Sequence, residues 1–353
     1  MQPLYIGVVA LVFLVIFYNE PLKLELIGLL LVTIMTLLVI SFFADDMALL
    51  YRGLVSYVAI VLIICVSSFM GSRYSVSQKL LVSINITWLL VAVFQIWVPD
   101  IVSNFVAYRT TASRGLPSMA PEPSFFAIVL VFLIAFHILR LNIRPQALTS
   151  KVFIALNVMA ILFLAKSVIG LLMIIYGGFL YMAYKASLRT LVLSIAVGTI
   201  GLFTTLYYLP ESRLATFILV VIDSPVIFFL VDQSANERWL SLFLPVKFAF
   251  NDFLMPHGFE SFVGQAYVFY NESGILLKPF ESNKIMSVFG SMVYEIGFLA
   301  FGIIFIALHK IWLTKFNLAM VMFIAPVSLF GLSVSFPLFW IFFASLEKRS
   351  HLI

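Results

Sequence analysis

Apolar residues in this chain neither alternate with polar ones nor recur on one helical face alone; they form continuous runs. Several approach the roughly 20 residues that a helix needs to cross about 30 Å of hydrocarbon. Set against the charged and proline-rich breaks, the runs predict helical spans near 3–18, 22–43, 48–70, 79–98, 124–140, 151–165, 167–184, 188–208 and 285–308. A final stretch, 316–346, is longer than one span needs and carries Pro326, Gly331 and Pro337, so it predicts one tilted helix or two short ones. The period of two that an outer-membrane barrel requires is missing, whereas a helix satisfies its own backbone inside lipid. The expected fold is therefore an all-α polytopic integral membrane protein, a single membrane domain over 1–353 with about 10–11 transmembrane helices.

Two longer polar segments, 99–123 and 210–284, interrupt the bundle. The positive-inside rule orients them. Arg73 with Lys79, then Arg140, Arg144 and Lys151, then Lys185 with Arg189, then Lys310 with Lys315, fall in alternate connections, which places those connections in the cytoplasm. Both polar segments then face the opposite side, as does the N-terminus. Lys348 and Arg349 draw the tail toward the cytoplasm, which favours splitting the last stretch. Residues 1–18 lack a basic leading region and a small-residue cleavage site, so they read as a permanent first span. Segment 210–284 holds apolar stretches broken by Asp223, Pro225 and Pro245, a pattern expected of interfacial or re-entrant helices.

Composition agrees with lipid as the solvent of this fold. Of the 353 residues 63% are hydrophobic and 10% charged, against roughly 45–50% apolar content in soluble domains. A net charge of +5, spread over short loops, suits membrane orientation better than nucleic-acid binding. The single cysteine, Cys65, excludes an intrachain disulfide and a thiol-ligated cluster. His137, His257, His309 and His351 lack metal-site spacing, so neither a metal nor another cofactor is expected.

Candidate chemistry gathers in three places. Arg109 and Arg114 precede Gly115-Leu-Pro117-Ser-Met-Ala-Pro121-Glu122-Pro123-Ser124, which opens a span. Proline favours the first helical position and keeps its predecessor extended, which makes Glu122 the N-cap. A helix start, the Ser124 hydroxyl and permanent guanidinium cations make a cradle for an anion; the plainer alternative is a capping Glu122 and arginines touching lipid phosphates. In the larger loop, Arg213 and Arg238 of Asn236-Glu237-Arg238-Trp239 present forks that match phosphate oxygens, and His257 follows in Met255-Pro256-His257-Gly258. Ordinary loop ion pairs are the alternative there. Third, Glu295 of Tyr294-Glu295-Ile-Gly297 lies within a span, where an ionisable group marks a functional site or a structural partner. Lys166, at the turn Lys166-Ser167-Val-Ile-Gly170, is either a further phosphate contact or a snorkelling interface residue.

The segment from Arg114 through Glu122-Pro123-Ser124-Phe-Phe-Ala resembles the arginine–glycine–glutamate–proline–serine signature of Wzy-type polysaccharide polymerases. Asn236-Glu-Arg238-Trp and Glu295-Ile-Gly297 with Gly302 are similar to that family's later motifs, in the same order, whereas Ala165-Lys166-Ser167-Val-Ile-Gly170 follows its serine–glycine turn only loosely. The resemblance implies a GT-C-like helical bundle with a large extracytoplasmic loop. It implies a metal-independent glycosyltransferase in the bacterial inner membrane, joining undecaprenyl-diphosphate-linked oligosaccharide repeats into O-antigen, capsule or exopolysaccharide. Donor and acceptor would both be lipid-linked, and a chain-length regulator protein would be a further partner. In that chemistry an acceptor hydroxyl attacks the donor's anomeric carbon and the lipid diphosphate leaves. Arg109, Arg114, Ser124, Lys166, Arg213 and Arg238 would hold the diphosphate, while Glu122 ahead of Glu295 and His257 would take the proton. An O-antigen ligase acting on lipid A core is the nearest rival, and a lipid-linked glycan transporter the more distant one. A transporter would show charged groups lining both halves of the bundle and inverted repeats, neither of which this sequence displays.

Overall fold

The computed structural model describes residues 24–41, 51, 53–63, 77–99, 115–185, 219, 233–259, 261–273, 285–310, 314–334 and 336–346. Every regular element among them is helical. In chain order these are α1 (Leu24–Ser41), α2 (Gly53–Ile63), α3 (Gln78–Trp97), α4 (Pro123–Ile143), α5 (Leu148–Ala160), α6 (Val168–Lys185), α7 (Gln233–Asn251), α8 (Ser261–Ser273), α9 (Val288–Ile296), α10 (Leu299–Lys310), α11 (Lys315–Phe330) and α12 (Pro337–Ser345). A π-helical turn, Ile161–Ala165, extends α5. Among the described residues three helices are long and apolar enough to cross a membrane: Gln78–Trp97, Pro123–Ile143 and Leu148–Ala165. The chain is thus an all-helical protein of membrane type among its described residues. Predicted spans 3–18 and 188–208 lie outside them.

The chain divides into two compact units. One comprises Ser77–Asp232 with Leu318–Pro326, and its centre is α4. That helix is apolar on all sides, and 67% of its spanning window is buried, against 22% for α3 and 33% for α5 with its π turn. A helix with no polar face has to be surrounded. Here α5, α6 and the π turn pack on it, and Ala127 of α4 lies against Gly170 of α6, where a Cβ would collide. The outer faces keep large apolar residues such as Leu90, Phe94 and Phe163 exposed, as a lipid-solvated surface does. Two polar contacts join helices here: Asn85 Nδ2 lies 3.1 Å from His137 Nε2, and Arg140 donates to Gln78 at 3.0 Å. Such bonds hold membrane helices in register.

The other unit comprises Met1–Val76, Gln233–Asn317 and Val327–Ile353. Here the structure departs from the expected single span over 285–308, which breaks into α9 and α10 at Gly297. Gly297 has φ 60 and ψ −136, a backbone region open essentially only to glycine. The stretch 316–346 forms two helices, α11 and α12.

Helices α7 and α8 make a hairpin on α9. Gly290 of α9 sits against the carbonyl of Ser241, where a Cβ would collide, and Phe248 and Tyr294 rings stand 6.5 Å apart further along, so α7 and α9 run parallel. Phe262 of α8 packs on both Phe248 and Tyr294, and Lys247 lies 4.2 Å above the Phe269 ring. The turn between α7 and α8 meets the broken end of α9: His257 N donates to Tyr294 O, Gly258 N to Glu295 O, and Phe298 N to Leu254 O, at 3.1, 3.2 and 2.9 Å. Carbonyls left over at a helix end need such donors.

A Cβ at Gly297 would meet the backbone of Leu254 and Pro256, whereas one at Gly302, inside α10, meets nothing. Gly297→Ala is therefore expected to destabilise by about 2 kcal/mol or more. Gly302→Ala should stay within about 1 kcal/mol on the stabilising side. Thermal unfolding of the two purified variants in one detergent checks the difference.

Candidate functional site

The loop ahead of α4 is built by proline and by buried hydrogen bonds. Pro123 occupies the first helical position and Glu122 is the N-cap, extended at φ −146 and ψ 154. Its carboxylate makes no capping bond to the helix; instead Ser124 Oγ donates to Glu122 Oε2 at 3.3 Å. The side chain is half-buried and its carboxylate is not spent on the cap. Upstream, Ser118 takes the left-handed conformation at φ 53. Its N–H donates to Gln95 Oε1 at 2.9 Å and its Oγ to Trp88 O at 2.8 Å, which fixes the loop to α3.

Two sequence motifs separated by some fifty positions meet here. Leu116 N donates to Leu164 O at 2.8 Å, and Gly115 lies so close to the Ala165 carbonyl that a Cβ would collide. The π turn makes this possible: Lys166 N bonds back to Ile161 O at 3.0 Å, and Lys166 itself is left-handed at φ 45. π turns free carbonyls that an α-helix would consume. Lys166 is exposed beside the glycine that follows Arg114. Arg109, Arg114 and Arg213 lie outside the described residues.

His257, Glu295 and Arg238 belong to the other unit. The α7–α8 turn places His257 and Glu295 together, through the backbone bonds to the end of α9. Glu295, half-buried, accepts a hydrogen bond from Tyr57 Oη at 2.8 Å; Tyr57 is almost fully buried. The His257 ring stacks on Tyr294 with centroids 4.5 Å apart and planes 14° apart, and its Nε2 lies 2.6 Å from Asp252 Oδ2. Ser261 Oγ donates to His257 O at 2.9 Å and stands 3.0 Å from Tyr294 Oη, so the tyrosine hydroxyl donates to the serine.

Arg238 lies at the other end of α7. Ten residues separate it from Phe248, which is level with Tyr294, or roughly 15 Å at 1.5 Å per residue. It donates to Phe330 O at 3.3 Å, the last residue of α11, and Trp239 stacks on the Phe330 ring. A cation at a helix C-terminus is favourable. Part of the Arg238 charge therefore serves that helix end.

Tyr57 and Asp252 are the partners that sequence reasoning missed. A tyrosine in an apolar run reads as packing, and an aspartate in a polar segment reads as solvated. Among the described residues no group of three or more His, Cys, Asp or Glu side chains could hold a metal ion. Together the units define a helical protein of membrane type with two loop-built polar clusters. No family model, curated protein or solved structure matches the chain.

The Tyr57–Glu295 bond links α2 to the end of α9. A double-mutant cycle of Tyr57→Phe and Glu295→Gln is expected to return a coupling of about 1–3 kcal/mol. Unfolding in detergent measures it; a coupling near zero would show that the two side chains stabilise the fold independently.

Proposed function

We propose that this protein is a metal-independent glycosyltransferase that polymerises polyprenyl-diphosphate-linked oligosaccharide repeats into a bacterial surface polysaccharide, working at the extracytoplasmic face of the inner membrane. The observation that carries this reading is the loop 115–124. With Arg114 its residues resemble the Wzy-type signature, it is tied at Leu116 to the π turn and at Ser118 to α3, and its Glu122 carboxylate makes no capping bond at the start of the most buried of the three span-length helices. The sequence likeness of Asn236-Glu-Arg238-Trp and Glu295-Ile-Gly297 supports it further.

The chemistry asks little of the protein beyond charge and position. Lipid diphosphate is already a good leaving group, so the work lies in neutralising the charge that develops as the glycosidic bond to phosphate breaks. Arg109, Arg114, Arg213 and Arg238, with Lys166 and Ser124, are the donors assigned to that task. Arginine suits it because its planar fork binds two phosphate oxygens at once and stays charged. Displacement in a single step inverts the anomeric carbon.

The test is a chromosomal deletion in the cell that encodes the chain, read as a surface-glycan ladder on a gel. Polymerase loss leaves one repeat attached to its acceptor; loss of all attached glycan would instead identify a ligase, and an unchanged ladder would remove the assignment. Arg114→Ala and Arg238→Ala, compared at equal amounts of membrane-inserted protein, should each cut long products by roughly 10²-fold or more. Normal ladders from both would remove the phosphate clamp.

A further inference from the structure

The geometry points to Asp252 as the base that takes the acceptor proton, with His257 as the residue that positions it. This rests on the glycosyltransferase reading and assigns its proton acceptor to a residue that the sequence motifs leave out.

Accessibility separates the two partners. The Asp252 side chain is 57% exposed and that of His257 is 9% exposed. His257 Nε2 is engaged with the carboxylate, and its Nδ1 is shielded from solvent, so neither ring nitrogen presents itself to a sugar hydroxyl. A carboxylate has about four lone-pair sites, of which the imidazole occupies one. The remainder of Asp252 faces outward, at hydrogen-bonding reach of an approaching hydroxyl.

Helix stability does not explain the aspartate. Asp252 follows directly on the C-terminus of α7, where the macrodipole disfavours a negative side chain. The two residues after it, Phe253 and Leu254, both hold left-handed backbone at φ 53 and 59. Bulky side chains take that conformation at a cost of about 1–3 kcal/mol each, and it persists only where surrounding structure enforces it. The enforcement is visible: Leu254 N bonds to Ala249 O, and Leu254 O accepts from Phe298 N. Those two turns bring the chain round so that a residue five positions on closes against the carboxylate at 2.6 Å.

His257 is held through both ring and backbone. Its ring lies on Tyr294, its backbone N–H is bonded to Tyr294 O, and its carbonyl accepts from Ser261. A ring fixed in this way donates Nε2–H along one direction and orients one carboxylate oxygen, the arrangement by which a second group aligns a catalytic base. The carboxylates that the sequence offers for this role are less open: Glu295 is half-buried and already accepts from Tyr57, and Glu122 is half-buried and accepts from Ser124.

In the reaction the acceptor oxygen forms its bond to the anomeric carbon, the bond from that carbon to phosphate oxygen breaks, and its electron pair leaves with the diphosphate. The hydroxyl proton passes to the exposed oxygen of Asp252. Release to water restores the carboxylate.

Membrane vesicles from the encoding cell, carrying their own lipid-linked repeats and the full-length chain, provide the assay. Asp252→Asn keeps the size and can still accept from His257, but it cannot take a proton. Turnover per inserted protein should fall about 10²-fold or more. Asp252→Glu should recover to within about tenfold of wild type, and His257→Gln should lower kcat about tenfold with KM changed less than about twofold. Unchanged turnover in Asp252→Asn overturns the proposal, because a merely structural staple tolerates that amide. Should Asp252→Asn insert poorly, Asp252→Cys in a Cys65→Ser background decides: iodoacetate restores a carboxylate and activity, iodoacetamide adds a neutral group of like size and does not. Equal recovery, or none with either reagent, overturns the assignment. Wild-type vesicles that make no polymer would instead count against the glycosyltransferase reading itself.

Discussion

A helix that stops inside an apolar surrounding leaves carbonyls without donors, and this fold answers that constraint with backbone amides from another part of the chain. At the end of α9 the donors are His257 and Gly258, which bond to the carbonyls of Tyr294 and Glu295. A buried carbonyl without a donor costs about 1–3 kcal/mol, so the hairpin and the broken helix stabilise each other. The side chains follow from the backbone. His257 is pressed onto Tyr294, Asp252 is drawn to His257, and Glu295 stands at the break, in reach of Tyr57.

The other unit uses the same device at a different irregularity. Its π turn exposes the carbonyl of Leu164, and Leu116 fills it. Because Gly115 has no Cβ, the loop can approach the Ala165 carbonyl closely enough for that bond. In both units a glycine permits close backbone approach and a loop amide caps a helical defect. Irregular backbone at such places is tolerated only where protein covers it, which is also where chemistry can be held in fixed geometry.

How much of this the sequence shows depends on whether the cause is local. Pro123 sets the start of α4 and the extended Glu122 before it, and both are readable from two adjacent letters. The helical character of the apolar runs is equally plain. The break at Gly297 is not, because Phe298, Leu299 and Ala300 continue the apolar run and the collision that demands glycine comes from Leu254 and Pro256. Tyr57 and Glu295 are 238 positions apart, a pairing that no spacing rule reaches. Asp252 meets His257 only through left-handed Phe253 and Leu254, residues that propensity would never place there. Residue type and position offered Glu295 and His257 as candidates, but the partners that orient them, Tyr57 and Asp252, are tertiary facts.

The capping of α9 by the α7–α8 turn underlies the whole of this arrangement. Hydrogen–deuterium exchange, resolved to the amides of His257 and Gly258 in protein held in bilayer nanodiscs, tests it most directly. Both amides should exchange at least about a hundredfold more slowly than in a free peptide. Exchange of both at the free-peptide rate, while α9 itself stays protected, would contradict it.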